Sequence, residues 1–319
     1  MIDKIKEPLL QFNLREILKM SDIYSLSILC IYTILAIIFS PYIDGSITLI
    51  YINIIIMAGI ISIATIDEKF QAGRLFTLFR RVYIAPLIFI VYDQIQNYIP
   101  MINPNLYDLT LISWDMAIFG VNPTEWIYQF ASPALTEFMQ SSYMLYFFMP
   151  LAHGIELHLK HEDKKLGEFS RSILFAFYTS YLLYFFMPAI GPRFFIHDFF
   201  AMSTELPGLY LTEFFRNVVN SGGGIPAGVM NPADFVNRDC MPSGHTMVTL
   251  VNIYVVFRNK SIFRYPILIF GLSLIISTIY LRYHYAVDVM AGAMFAVIAI
   301  YIEPKVRLFV KEKLNFKNA

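Results

Sequence analysis

Charge is scarce in this chain: Asp, Glu, Lys and Arg make up 15% of its residues, against 57% hydrophobic. That balance excludes an ordinary soluble domain, whose surface needs more polar side chains than these. Cysteine is almost missing. Cys30 and Cys240 are too few for a disulfide framework, and because one falls in an apolar run and the other in a polar loop, they read as two separate thiols. The six histidines are scattered with no second ligand at metal spacing, so neither a metal nor any other cofactor is expected. Residues 1–22 lack the apolar core of a cleavable signal peptide, since Lys4, Lys6, Glu7, Arg15, Glu16 and Lys19 interrupt them. There is no internal repeat, low-complexity tract or soluble second domain, and no nucleic-acid partner is expected. The glycines Gly222, Gly223 and Gly224 are not followed by Gly-Lys-Ser/Thr, which excludes a phosphate loop and leaves a flexible linker.

Long apolar runs are what the chain has instead. Runs of roughly the length that crosses hydrocarbon lie at about 23–41, 46–66, 79–98, 136–156, 171–190, 245–258, 265–282 and 285–303. The fold class expected is therefore an all-α integral membrane protein with about eight transmembrane helices. Residues 1–22 read as a cytoplasmic interfacial amphipathic helix, 23–78 as two N-terminal spans, and 304–319 as a basic tail. Alternation sorts the loops into two sets. One holds Lys4, Lys6, Arg15, Lys19, Lys69, Arg74, Arg80, Arg81, Lys160, Lys164, Lys165, Arg171, Arg258, Lys260, Arg264 and the tail from Lys305 to Lys317. The other holds only Arg193, Arg216, Arg238 and Arg282. Positive charge stays inside, so both termini are expected in the cytoplasm, and the long loops 99–135 and 191–244 outside or in a lumen. In a bacterium this would be the plasma membrane. Loop 99–135 carries Trp114 and Trp126 among Tyr107, Tyr128, Phe119 and Phe130, which suits short helices in the outer headgroup layer, as an aromatic belt or as a lid for lipid entry.

Ionisable groups at span ends are costly unless they pair or face water, which makes them functional candidates. Three clusters reach the outer boundary: Gly191-Pro192-Arg193-Phe194, Pro242-Ser243-Gly244-His245-Thr246, and Arg282-Tyr283-His284-Tyr285-Ala286-Val287-Asp288. His284 and Asp288 are four apart, about one turn on a helix face, so the carboxylate can fix the imidazole tautomer and leave the other nitrogen nucleophilic. A satisfied helix-end pair is the bland alternative. His245, in the first turn of a helix whose free amides favour an anion, can protonate a leaving oxygen, or it can belong to a capped helix start. Arg193 and Arg282 have forked donors suited to phosphate, or to anchoring a headgroup. Together these groups form the inventory of phosphoryl transfer through a phosphohistidine.

At this point the chain resembles the type 2 phosphatidic acid phosphatase superfamily. The Pro-Ser-Gly-His element is complete at Pro242 to His245, and the His-x-x-x-Asp element at His284 to Asp288. The resemblance implies a six-helix phosphatase-type core over 79–303. In it His284 is the nucleophile, Asp288 its partner and His245 the acid, with Ser243 and Gly244 holding phosphate oxygens alongside Arg193 and Arg282. Thr278 stands where the family has an arginine, and Phe186 where a lysine would precede Arg193 by seven. The Ser277-Thr278 start, the His284-Tyr285 and Asp288-Val289 pairs and the Gly-Pro-Arg turn look closest to the aureobasidin-resistance, inositol phosphorylceramide synthase-like branch. Cys240 to Thr246 is similar to the Cys-containing version in sphingomyelin synthases. The implied activity is transfer of a phosphoryl or phospho-headgroup from a lipid phosphoester. Membrane lipids are the donor and, in the transferase reading, the acceptor. Removal of two cations suits a diester of about one negative charge better than a monoester near two. The alternatives are a lipid phosphate monoester or pyrophosphate phosphatase using the same residues, or a catalytically silent lipid binder. Transport is disfavoured because transporters place such groups near the midplane.

Overall fold

The computed structural model describes residues 13–70 and 74–318, so the first part of the expected amphipathic helix 1–22, including Lys4, Lys6 and Glu7, lies outside the described residues. Every regular element among the described residues is helical. The chain divides into two compact units, residues 1–94 with 301–319 and residues 95–300.

The first unit holds α1 (Leu14–Ile17), α2 (Met20–Ile38), α3 (Ser46–Phe70), α4 (Arg74–Val82) and the beginning of α5 (Ile84–Ile102). The expected span 79–98 is split between α4 and α5. Pro86, in the first turn of α5, has no N–H to offer Val82, so the ladder stops and restarts there. Arg80 does not lie in a solvated inner loop as expected. It is buried, and its guanidinium donates to Asp67 at 2.7 Å, to Asp22 at 3.0 Å and to the carbonyl of Ile17 at 2.7 Å.

The second unit adds α6 (Asp108–Phe119), α7 (Pro123–Ile127), α8 (Pro133–Met144), α9 (Phe148–Leu159), α10 (Asp163–Leu183), α11 (Met202–Glu205), α12 (Thr212–Gly222), α13 (Gly244–Arg258), α14 (Arg264–Tyr280) and the beginning of α15 (Ala286–Lys313). Here α8 packs on α14, α14 on α13, α13 on α10, and α10 on α9, with α12 against α8 and α7 against α14. The expected span 136–156 breaks at Leu145–Phe147 into α8 and α9, where Pro150 repeats the device of Pro86. Among the described residues, three helices are apolar and long enough to cross a membrane: Met20–Ile38, Ser46–Glu68 and Ala286–Lys313, with Arg264–Tyr280 a shorter apolar one.

The loop 99–135 forms helices, as the sequence suggests, but α6 is inverted. Asp108, Leu111 and Asp115 are buried, while Leu109, Trp114, Met116, Ile118 and Phe119 are exposed. In α12, likewise, Arg216 is buried and Phe214 and Val218 are exposed. Both helices bury charged groups and expose large apolar ones.

Replacing Arg80 by Met should leave the buried carboxylate of Asp22 without its cation, Asp67 keeping Lys19, and cost about 3–5 kcal/mol. Thermal unfolding of the full chain in detergent would reveal it, and an unchanged midpoint would contradict the role assigned to this network.

Candidate active site

Three turns build the site, and their backbones hold each other. The turn after α14 closes when the amides of Tyr283 and His284 both donate to the carbonyl of Thr278, at 2.9 and 3.0 Å. Arg282 there adopts a left-handed φ of 64°. The Gly-Pro-Arg turn docks on it, the amide of Arg193 donating to the carbonyl of Arg282 at 3.2 Å. Gly191 has φ +98°, and a Cβ there would stand 2.7 Å from the carbonyl oxygen of Tyr283, so no other residue fits without strain. The Pro-Ser-Gly-His turn is tied in by Cys240 N to the carbonyl of Ala189 at 3.0 Å and by Ser243 N to the carbonyl of Asp288 at 3.0 Å. Gly292, one turn after Asp288, lets α15 press against this turn, since a Cβ would meet the carbonyl oxygen of Ser243 at 2.4 Å.

His284 lies just before α15 rather than on it, so its relation to Asp288 is that of a turn residue to the first turn of a helix. Its Nδ1 is 3.1 Å from the carbonyl oxygen of Cys240, which only accepts, so Nδ1 carries the proton. Asp288 Oδ1 lies 3.1 Å from the same nitrogen, off the N–H direction, and acts as its Coulombic partner. The other carboxylate oxygen accepts from Cys240 Sγ at 2.8 Å and from Tyr285 N at 3.0 Å. With Nδ1 protonated, Nε2 of His284 keeps its lone pair and faces Nδ1 of His245 at 3.4 Å. His245 Nδ1 is then the donor of that contact. The rings of Tyr143 and Tyr146 hold His245, with centroids 4.7 and 4.4 Å away. The outcome is a nucleophilic nitrogen next to a proton donor in a nearly dry site.

The other expected residues divide. Ser243 caps α13: its hydroxyl accepts from Thr246 N at 3.2 Å and from Thr246 Oγ1 at 3.0 Å. Gly244 begins α13, and its carbonyl accepts from Tyr146 at 3.3 Å. Arg193 is buried, with Nη1 donating to Asn220 at 2.7 Å and the guanidinium 5.0 Å from the Tyr283 ring centroid. Burial pulls its pKa down, yet a guanidinium stays charged. Tyr283 in turn lies 4.8 Å from Tyr143, so an aromatic row joins Arg193 to His245. Arg282 is not brought to the histidines. It pairs with Glu205 and stacks 5.2 Å over Tyr128. Thr278 turns its hydroxyl back to the carbonyl of Ile275 at 2.7 Å, and Phe186 is exposed. Of the buried arginines, Arg216 pairs with Glu213 and Arg282 with Glu205, while Arg193 donates to Asn220 and feels the negative charge of Asp239.

Three positioning residues escaped the sequence reading. Asp108 accepts from the amides of Ile190 and Gly191, at 3.1 and 2.8 Å, and from the Tyr285 hydroxyl at 3.0 Å. Asp115 accepts from the amides of Ala286 and Val287 at 3.0 and 2.8 Å, capping α15 from another helix. Burial raises the pKa of both, and the amide donors oppose that rise. For Asp115 the negative charge of Asp288 adds to the rise. Cys240 is the third. The available signal was the i, i+7 pairing of two acids on a helix otherwise apolar, which places both on one face.

These features define an all-α membrane protein with a histidine–histidine–aspartate centre. A family model described as the PAP2 superfamily matches residues 109–302, and the chain belongs to that superfamily. Membership points to phosphatase or phosphotransferase chemistry on phosphoesters. No curated protein and no solved structure matches the chain. The match includes the expected spans from 136–156 onward and begins after the one at 79–98.

Asp115→Ala should strand two amides at the start of α15 and cost about 1–3 kcal/mol for each buried group left without a partner. Asp115→Asn, keeping one acceptor oxygen, should fall between it and the parent in thermal unfolding. An alanine variant as stable as the parent would remove Asp115 from this role.

Proposed function

We propose that the chain is a membrane lipid phosphotransferase acting through a phosphohistidine, similar in class to inositol phosphorylceramide synthase. The observation that carries the reading is the contact of His284 Nε2 with His245 Nδ1 at 3.4 Å, with His284 Nδ1 held by the Cys240 carbonyl. Nε2 attacks phosphorus, and the bond from phosphorus to the leaving alcohol breaks. His245 gives its proton to the departing oxygen. An acceptor hydroxyl then loses its proton to His245, bonds to phosphorus and releases Nε2. Asp288 stabilises the positive charge that His284 carries between the two steps. Arg193, buried behind the aromatic row, balances the equatorial oxygens together with the α13 amides behind Ser243 and Gly244.

A diester donor is favoured because positive charge is scarce: Arg216 is paired with Glu213, and Arg193 feels the negative charge of Asp239. The pairing of Arg282 with Glu205, and a threonine at 278, leave little positive charge for a doubly charged monoester. The rest of the reading extends the sequence argument. It comprises eight spans, a catalytic core over 79–303, both termini cytoplasmic, and a site at the outer or lumenal face open to lipid donor and acceptor.

His284→Ala should abolish turnover on a panel of lipid phosphoesters, and His245→Ala should slow it by roughly 10²–10⁴-fold. Full activity in either variant, with the chain folded, would refute the mechanism. Purified protein given headgroup-labelled phospholipid with ceramide or diacylglycerol should place the label in a new lipid. Label recovered as inorganic phosphate would instead identify a phosphatase, and as a soluble headgroup phosphate a hydrolase using water.

A further inference from the structure

Behind the nucleophile, on the side away from His245, three potential metal donors converge. Cys240 Sγ, His284 Nδ1 and an Asp288 carboxylate oxygen all lie within 4.8 Å of one another, and all three residues are buried. Sγ is 3.6 Å from Nδ1 and 2.8 Å from Oδ2, and Nδ1 is 3.1 Å from Oδ1. Tetrahedral zinc, with bonds of about 2.0–2.3 Å, sets its donors about 3.4–3.6 Å apart. The sulfur–nitrogen pair already meets that spacing, and the contacts to Asp288 need open by less than about 1 Å. Oδ1 of Asp288 has no directed hydrogen bond and faces this space.

We propose that the Cys240, His284 and Asp288 cluster is an inhibitory site for a borderline-soft divalent cation of the zinc class. The thiol selects against magnesium and calcium, which take oxygen donors. The charge balance is favourable for a dry site. Before binding, the neutral thiol and imidazole with ionised Asp288 carry one negative charge. Binding M²⁺ releases the thiol proton to solvent, and the sum of cation, thiolate and carboxylate is then zero. Metal at Nδ1 also requires that nitrogen's proton to move to Nε2. The lone pair that would attack phosphorus is thereby lost. This inhibitory consequence rests on the proposed function, whereas binding does not. Because the cluster is buried, its onset should be slower than mixing, and saturating lipid should not relieve it.

The test uses full-length protein in detergent, stripped with chelator and titrated with Co²⁺. Cys30 and Cys240 are its only thiols, so a Cys30→Ser chain makes the assignment. The wild type and Cys30→Ser should both develop thiolate-to-cobalt charge-transfer absorption that saturates at one equivalent and is displaced by Zn²⁺. Cys240→Ser and Cys240→Ala should lack it. In parallel, Zn²⁺ should inhibit wild type and Cys30→Ser alike, reversibly with chelator. The Cys240 variants, each scaled to its own metal-free rate, should need at least tenfold more zinc. Absence of the band in Cys30→Ser overturns the inference whatever the Cys240 variants do, as does a band that survives in them. A band with no lipid turnover would uphold the metal site and count against the function.

Discussion

The first amides of α15 have no partners within their own helix, and the site is organised by how they find them. Ala286 and Val287 donate to Asp115, while Tyr285 donates to Asp288 itself. Asp288 is consequently fixed at both ends, its carboxylate by these bonds and by Cys240, its carbonyl by the amide of Ser243. The histidine that it orients and the turn that presents the second histidine therefore share one anchor. A shift of α15 along its axis would move both imidazoles together, which preserves their spacing better than two independent supports would.

The same economy governs charge. Asp108, Asp115 and Asp288 are all buried, and amide, hydroxyl and thiol donors bind them rather than lysine or arginine, with the imidazole of His284 beside Asp288. Dipoles stabilise each carboxylate without cancelling any neighbouring cation. Arg193 donates to an amide oxygen and lies against aromatic faces, with the charge of Asp239 also acting on it. Arg282 and Arg216, by contrast, are neutralised locally and hold the outer segment of residues 202–213 together.

Much of this was legible in the sequence because the determining signals are local. Pro-Ser-Gly-His and His-x-x-x-Asp announce their chemistry by spacing, and apolar runs announce helices. What stayed hidden depends on distant pairings. Nothing near Cys240 indicates that its sulfur meets a carboxylate 48 positions later, and Arg282 looks like a phosphate ligand until the fold supplies Glu205. The breaks at Tyr83 and at Leu145–Phe147 were readable in principle from Pro86 and Pro150, but hydrophobicity runs through both and masks them. The role of α6 was obscured for a related reason. Aromatic residues suggested a helix resting at the lipid boundary, and Trp114 and Phe119 are exposed, while the two acids that give it purpose look solvent-facing until their partners are known.

That inverted helix also limits how the site can open. Swinging α6 outward would pull two carboxylates from their donors and at once orphan amides on two separate segments, Ile190–Gly191 and Ala286–Val287. Each of those losses is expensive where no water can substitute. The α6 side therefore behaves as a wall, fixed through backbone amides rather than side chains alone.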